Sequence, residues 1–378
     1  MDASQLNANM ASTAFAFRGY NFENLGRSHE LLKHPRYGPI VEDYLAQASA
    51  TCHAMTGRQT NLVTRVWRRR ETTLRTYADA IALVVAMELA QLKILDECFQ
   101  IRYESAKLAY GYSLGEITAL IAGGVASMHE ALRVPLSLAR DLASLAKDVT
   151  LGVLFSRGPE LSIDQITEQC LRVNCEGSGV VGLSTILAPN SVIVMGQGDS
   201  LDRFKKRMDD VSENRLYLRK NEHQWPPMHT PIMWQENISN RAAVLMQTMQ
   251  GGFTAPVPPI FSLVTGQVSY DHLNAREILY HWIDQPQRLW EAVYETLNQD
   301  IETVIHVGPH PNIIPATFKR LHDNVEAQTK GSIGMRALQV AVSRPWLKAL
   351  LPKRVALLKA VNVKQIILED WLLENAPE

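Results

Sequence analysis

Apolar residues fall in two rhythms along the chain, helical in the first part and strand-like in the middle. Residues 14 to 26, AFAFRGYNFENLG, predict a short strand followed by a glycine-containing loop. The stretch TYADAIALVVAMELAQLKILDECFQ is apolar on too many faces for a surface helix and predicts a buried one. Next, AKLAYGYS followed by LGEITALIAGGVA predicts a strand, a sharp turn and a helix. SMHEALRVPLSLARDLASLAKD then predicts an amphipathic helix broken or kinked at Pro135.

After Lys147 the rhythm changes. VTLGVLF predicts a strand, SIDQITEQCLRVN a helix, GVVGLSTIL and SVIVMG two strands around a turn at Pro189-Asn190, SLDRFKKRMDD a helix and RLYLRK a strand. The order βαββαβ is that of a ferredoxin-like unit, a small sheet covered on one face by two helices. NEHQWPPMHTPIM follows as a loop and NISNRAAVLMQTM as a helix. IETVIHVGPHPNIIPATFKRL predicts a late strand, a Gly-Pro turn and a helix that return the chain to the first α/β layer. The expected organisation is a discontinuous large α/β unit over 14–147 and 220–321, a ferredoxin-like insertion over 148–219 and a C-terminal extension over 322–378. In the extension Trp346, Leu347, Leu350 and Leu351 mark an amphipathic stretch suited to packing on the protein's own surface or to holding a partner.

Composition narrows the function classes. The chain has 378 residues, enough for a substantial core, and its 38 basic and 39 acidic residues leave a formal charge of −1. That balance argues against an extended nucleic-acid footprint. No apolar run reaches transmembrane length, and the first residues lack the basic-then-apolar pattern of a leader, so no membrane partner and a cytoplasmic location are expected. The four cysteines, Cys52, Cys98, Cys170 and Cys175, are scattered without a second pair at metal-ligand spacing, so neither a metal site nor a disulfide framework is expected. WRRRETTLR, 67 to 75, fits a solvated helix face or a patch for an acidic partner.

The candidate chemistry lies in Gly111-Tyr112-Ser113-Leu114-Gly115, a G-x-S-x-G pattern. Three fixed positions recur by chance too often to decide alone, but here a strand precedes the pattern and a helix follows it. That is the setting of a nucleophile elbow, in which two glycines permit a tight turn and lift the serine hydroxyl clear. The helix N-terminus behind Ser113 offers the backbone N–H of Leu114 to an oxyanion, and Glu116 fits as an acid favoured in a first helical turn. A serine hydroxyl needs a base. Among eleven histidines His229, in the loop beyond the insertion, is best placed to supply it.

Several segments together resemble the malonyl-CoA:acyl-carrier-protein acyltransferase family. Its G-H-S-L-G-E is matched by GYSLGE, its H-[ST]-P-x-M by HTPIM at 229 to 233, and its late G-P-G-x-x-L…K-R-[IL] by GPHPNIIPATFKRL. Its N-terminal F-P-G-Q-G-S-Q is altered to FRGYNFE, 17 to 23. The resemblance covers residues 14 to 321 and implies an α/β-hydrolase-like large domain with an inserted ferredoxin-like subdomain. It further implies that Ser113 takes an acyl group from coenzyme A, that His229 is its base, and that a backbone carbonyl near Trp282 orients the imidazole. The second oxyanion amide would be that of Tyr20. The donor would be an acyl-CoA thioester, the acceptor an acyl carrier protein in fatty-acid or polyketide biosynthesis, with no further cofactor.

Departures from the family pattern bear on the substrate. Tyr112 replaces a histidine beside the serine. Leu138 stands where the family has an arginine that pairs with the malonyl carboxylate, with Arg140 about 200° further round the helix. Leu187 stands where relatives have asparagine, on the insertion face expected to line the cleft. Tyr112 is a bulkier ring that would reshape the acyl pocket, and the other two changes make it less polar; the resemblance implies malonyl, and the missing arginine argues for a neutral acyl group. An acyl-thioester hydrolase of the same fold and a non-catalytic scaffold are the alternative readings.

Overall fold

The computed structural model describes residues 1–329, 347, 350 and 354–377. Two sheets organise them. The larger contains β1 (Thr13–Phe17), β2 (Leu108–Gly111), β7 (Ile260–Ser262), β8 (Gln267–Val268), β9 (Thr303–Val307) and β10 (Lys364–Ile367), in the order β10-β9-β1-β2-β7-β8. All neighbours are parallel except the edge pair β7 and β8.

The continuous apolar runs of the central strands follow from burial on both faces. Alternate residues of β1 divide between two cores: Phe15 and Phe17 join one cluster, Ala14 and Ala16 the other. The first cluster packs the sheet against the helices Gly38–Thr56, Tyr77–Phe99 and Met128–Leu145. The second packs it against Leu289–Asn298 and Ile313–Thr329. Met128–Leu145 is one helix with Pro135 inside it, so of the expected break or kink there the break does not occur.

The smaller sheet holds β3 (Val149–Ser156), β4 (Val181–Ala188), β5 (Ser191–Gln197) and β6 (Leu216–Gln224), antiparallel in the order β4-β5-β3-β6. Its helices, Ile163–Asn174 and Ser200–Val211, close a separate core on one face with Val192, Val194 and Phe204. The other face turns Leu151, Ile193 and Met195 into the second cluster of the large unit. This is the ferredoxin-like arrangement, seated between the helix that ends at Leu145 and the loop that carries His229.

The C-terminal segment is not an appendage. The expected boundary at 321 falls inside the helix Ile313–Thr329, and β10 pairs with β9 before a helix, Leu368–Glu374, buries Leu368, Trp371 and Leu372 in the first cluster. Leu368, Trp371 and Leu372 thus pack against the large unit, whereas Val355 and Leu358 remain exposed. Of the tail residues expected on an amphipathic face, Leu347 and Leu350 are buried in the second cluster, whereas Trp346 and Leu351 lie outside the described residues.

Candidate active site

Ser113 occupies the turn between β2 and the helix Leu114–Ala122 at φ 53°, ψ −114°, a strained conformation for a residue with a side chain. Neighbouring glycines make it possible. A Cβ on Gly111 would stand 2.0 Å from the carbonyl carbon of Gly115, and one on Gly115 would stand 2.4 Å from the carbonyl oxygen of Phe17. Strand, helix and N-terminal loop therefore meet backbone to backbone. A Cβ on Gly19 would lie 2.7 Å from the Tyr112 carbonyl oxygen and 3.4 Å from the Ser113 Cβ, which places the loop after β1 directly against the serine.

Two long-range bonds hold the Ser113 peptide. Its N–H donates to Gln287 Oε1 at 3.1 Å, and its carbonyl accepts from the Trp282 indole N–H at 2.9 Å. His229 Nε2 lies 2.7 Å from Ser113 Oγ, and His229 Nδ1 lies 2.7 Å from the Trp282 carbonyl oxygen. A carbonyl only accepts, so Nδ1 carries the proton and Nε2 presents its lone pair to the serine. The backbone N–H of His229 donates to Ile283 O at 2.9 Å, so consecutive carbonyls fix both ring and main chain. Gln287 Nε2 approaches Nδ1 at 3.4 Å, but two donors face each other there and no bond forms. Burial lowers the His229 pKa to about 4, partly opposed by the Trp282 carbonyl, so the imidazole is neutral at physiological pH.

The remaining expected positions divide. The N–H groups of Leu114 and Tyr20 find no acceptor among the described residues; Leu114 follows Ser113, and Tyr20 follows Gly19, the residue set against Ser113. Tyr112 turns its hydroxyl to Thr185 Oγ1 at 2.9 Å, joining the elbow to β4. Leu138 has no exposed surface and belongs to the first cluster together with Leu114, Met228 and Trp282. It packs against side chains and does not line an open pocket. Leu187 likewise departs from the expected cleft position: it is buried in the second cluster with Leu289 and Trp290, because β4 turns this side chain toward the large sheet. Thr185, Ser184 and Ile186 of β4 reach the site, the Ser184 carbonyl accepting from the Gln287 N–H at 2.8 Å and the Ile186 N–H donating to the Gln287 carbonyl at 2.8 Å.

Glu116 also differs from the sequence reading. It is fully buried, with Oε1 accepting from the Tyr270 hydroxyl at 2.8 Å and Oε2 from the Leu263 N–H at 3.2 Å, and burial raises its pKa to about 7. It fastens the elbow helix to the end of β7. Gln287 carried no motif that would have singled it out. Its role depends on a parallel bridge to Thr185 from a segment about a hundred residues earlier, a pairing that local pattern does not encode.

An open cleft of about 1150 Å³ runs between the helix Met128–Leu145 and the segments at 55–58 and 73–78. Arg58, Arg75, Arg140 and Lys147 line it, with Leu136 and Tyr77 on its apolar wall. The Tyr77 ring packs edge-on against Tyr20, centroids 4.8 Å apart, and Tyr20 packs in turn against Trp225 at 5.9 Å. The buried Trp225 indole N–H has no acceptor among the described residues. Within those residues no group of three or more His, Cys, Asp or Glu side chains could hold a metal ion, and no helix is long and apolar enough to cross a membrane.

No protein-family model matches the chain. Among curated proteins it is similar to the malonyl CoA-acyl carrier protein transacylase of Bacillus subtilis, 24% identical over 221 residues, 58% of this chain and 52% of that protein. The chain thus aligns with about half the length of that relative. The enzyme of the same name from Salmonella typhimurium is 24% identical over 320 residues, 84% of this chain and 95% of that protein. Among solved structures, FabD from Acinetobacter baumannii superposes with a TM-score of 0.66 at 18% identity, covering 82% of this chain and 91% of that one. Sequence relatives and shared fold converge: the chain is similar in sequence to malonyl CoA-acyl carrier protein transacylases and shares the fold of FabD.

Proposed function

We propose that the protein is an S-acyltransferase that moves an acyl group from coenzyme A to an acyl carrier protein through an ester on Ser113. The observation that carries this reading is the 2.7 Å approach of His229 Nε2 to Ser113 Oγ, with Nδ1 committed to the Trp282 carbonyl. His229 takes the Oγ proton as Oγ attacks the thioester carbonyl carbon. The negative charge that develops on the carbonyl oxygen is met by the N–H groups of Leu114 and Tyr20. Collapse breaks the carbon–sulfur bond, and His229 returns the proton to the leaving thiolate. The carrier's phosphopantetheine thiol then repeats the sequence in reverse and releases Ser113 as a free hydroxyl. No acidic third residue is required, since a carbonyl already holds the tautomer.

The names of the relatives support a carrier-protein acceptor, and the cleft supports a phosphate-bearing donor through its four basic side chains. The acyl group is read as neutral. Malonyl recognition needs a cation that pairs with the carboxylate in a site poor in water, and the position counted from the serine holds a buried leucine. The test is intact-mass measurement after incubation with acetyl-, butyryl- and malonyl-CoA, followed by holo carrier protein. The expected result is a Ser113 adduct with the neutral groups at least as abundant as with malonyl, discharged faster by holo carrier than by water. Strong malonyl selectivity would defeat the neutral-acyl assignment. Discharge to water that holo carrier does not accelerate would make the protein a hydrolase.

A further inference from the structure

The loop that brings Gly19 and Tyr20 against Ser113 is fastened at both ends. At its start Arg18 is almost wholly buried and donates to Gly19 O at 2.8 Å, to Asn24 Oδ1 at 2.9 Å and to the carbonyl of Pro309. Asn24 Oδ1 also accepts from the Asn21 N–H at 3.2 Å. At its end the Arg27 N–H donates to Glu369 Oε2 at 2.8 Å, while Glu369 Oε1 accepts from the His310 N–H at 2.7 Å. One carboxylate in the C-terminal helix thus ties the loop to the turn that follows β9, and Arg18 ties the same turn to the loop's other end. Gly26 permits this closeness: at φ 47°, a Cβ there would stand 2.6 Å from both Glu369 Oε2 and the His310 nitrogen. Other bonds seat the C-terminal helix independently, Tyr37 Oη donating to Leu372 O at 3.0 Å and Trp371 Nε1 to Met1 O at 2.8 Å.

We propose that Glu369 is a positioning residue, whose two hydrogen bonds hold the 18–27 loop so that the Tyr20 N–H faces the oxyanion formed at Ser113. The proposal rests on the acyl-transfer reading of Ser113. It gives the C-terminal segment a part in the reaction although nothing in that segment touches the reacting atoms. A carboxylate suits the place because it accepts on both oxygens. The amide of a glutamine offers one acceptor and sets an N–H₂ against a backbone N–H.

The test is E369Q in the full chain at pH 8, above the value of about 7 to which burial raises this carboxyl. The first-order rate of Ser113 acylation by acetyl-CoA should fall about ten-fold or more, with KM within about two-fold of wild type, since a misplaced oxyanion donor weakens the transition state and leaves thioester binding intact. Amides 19 to 27 should exchange hydrogen faster. D370N, which removes the neighbouring surface ion pair to Arg27, should leave the rate unchanged. A rate within two-fold of wild type in E369Q, or a loss carried by KM, overturns the proposal. Should E369Q not fold, G26A displaces the same carboxylate from the opposite side, and an unchanged rate in folded G26A is equally fatal. If wild type forms no adduct with any thioester, the acyl-transfer reading fails separately. Hydrogen exchange then decides the latch, and unaltered protection of 19 to 27 in E369Q refutes it.

Discussion

His229 shows how a single imidazole is prepared by what surrounds it. Its neutral form is favoured by burial, and its tautomer by one carbonyl, so the lone pair stands ready at Ser113 without a carboxylate behind it. Replacement by alanine should slow Ser113 acylation by about 10³-fold, and Ser113→Ala should abolish the adduct. A group protonated only below its pKa loses function only there, so the lowest acid limb of kcat/KM should lie near pH 4, not near 6.5. Acylation rates between pH 4 and 8 check this, and a lowest limb at 6.5 would mean that the imidazole is solvated. Ser113 and His229 were legible from short motifs, because the elbow and the loop are local structures with local signatures. Gln287 was not, since its contact with the Ser113 N–H arises only when β4 and a distant loop come together.

At the scale of elements, the βαββαβ unit was legible because every strand and helix in it is long enough to show its own period. The short strand β7, three residues, and the helix Ala275–Trp282 were not, being too brief or too irregularly flanked to stand out. Facing was harder still. Leu187 was expected to look into the cleft, yet one strand position decides between cleft and core, and here the side chain enters the layer between the sheets. Leu187→Asp should therefore lower stability by about 3 kcal/mol or more, through an unpaired charge in an apolar layer, with no selective change in acyl preference. Thermal melts beside acyl-CoA panels would tell the two apart. A normal melting temperature with altered preference would return Leu187 to the pocket.

The whole molecule carries several buried carboxyls, Glu88 raised to about 8 and Glu116 and Glu369 to about 7, each by burial. In the unfolded chain these groups release their protons near pH 4.5, so between that value and 8 the folded state holds more protons and stability falls as pH rises. Two buried histidines, His229 and His306, are lowered to about 4 and act in the opposite sense, but only below about 6.5. The melting temperature should thus decline from pH 6.5 to 8, where the carboxyls act unopposed. A rising melting temperature across that interval would show that these carboxyls are already ionised at pH 6.5.

The pairing of β10 with β9 and the reach of Glu369 to Arg27 also set an order of events during synthesis. Ser113 and His229 leave the ribosome well before residue 364, and by then the strands that carry the elbow are available to pair. The segment that closes the sheet edge and fastens the N-terminal loop is made after Ser113 and His229. A nascent chain halted before that point would own its nucleophile and base but lack the bonds that hold the loop over them. If Glu369 has the positioning role proposed for it, thioesters in the cell would acylate Ser113 at full rate only after translation had passed residue 369.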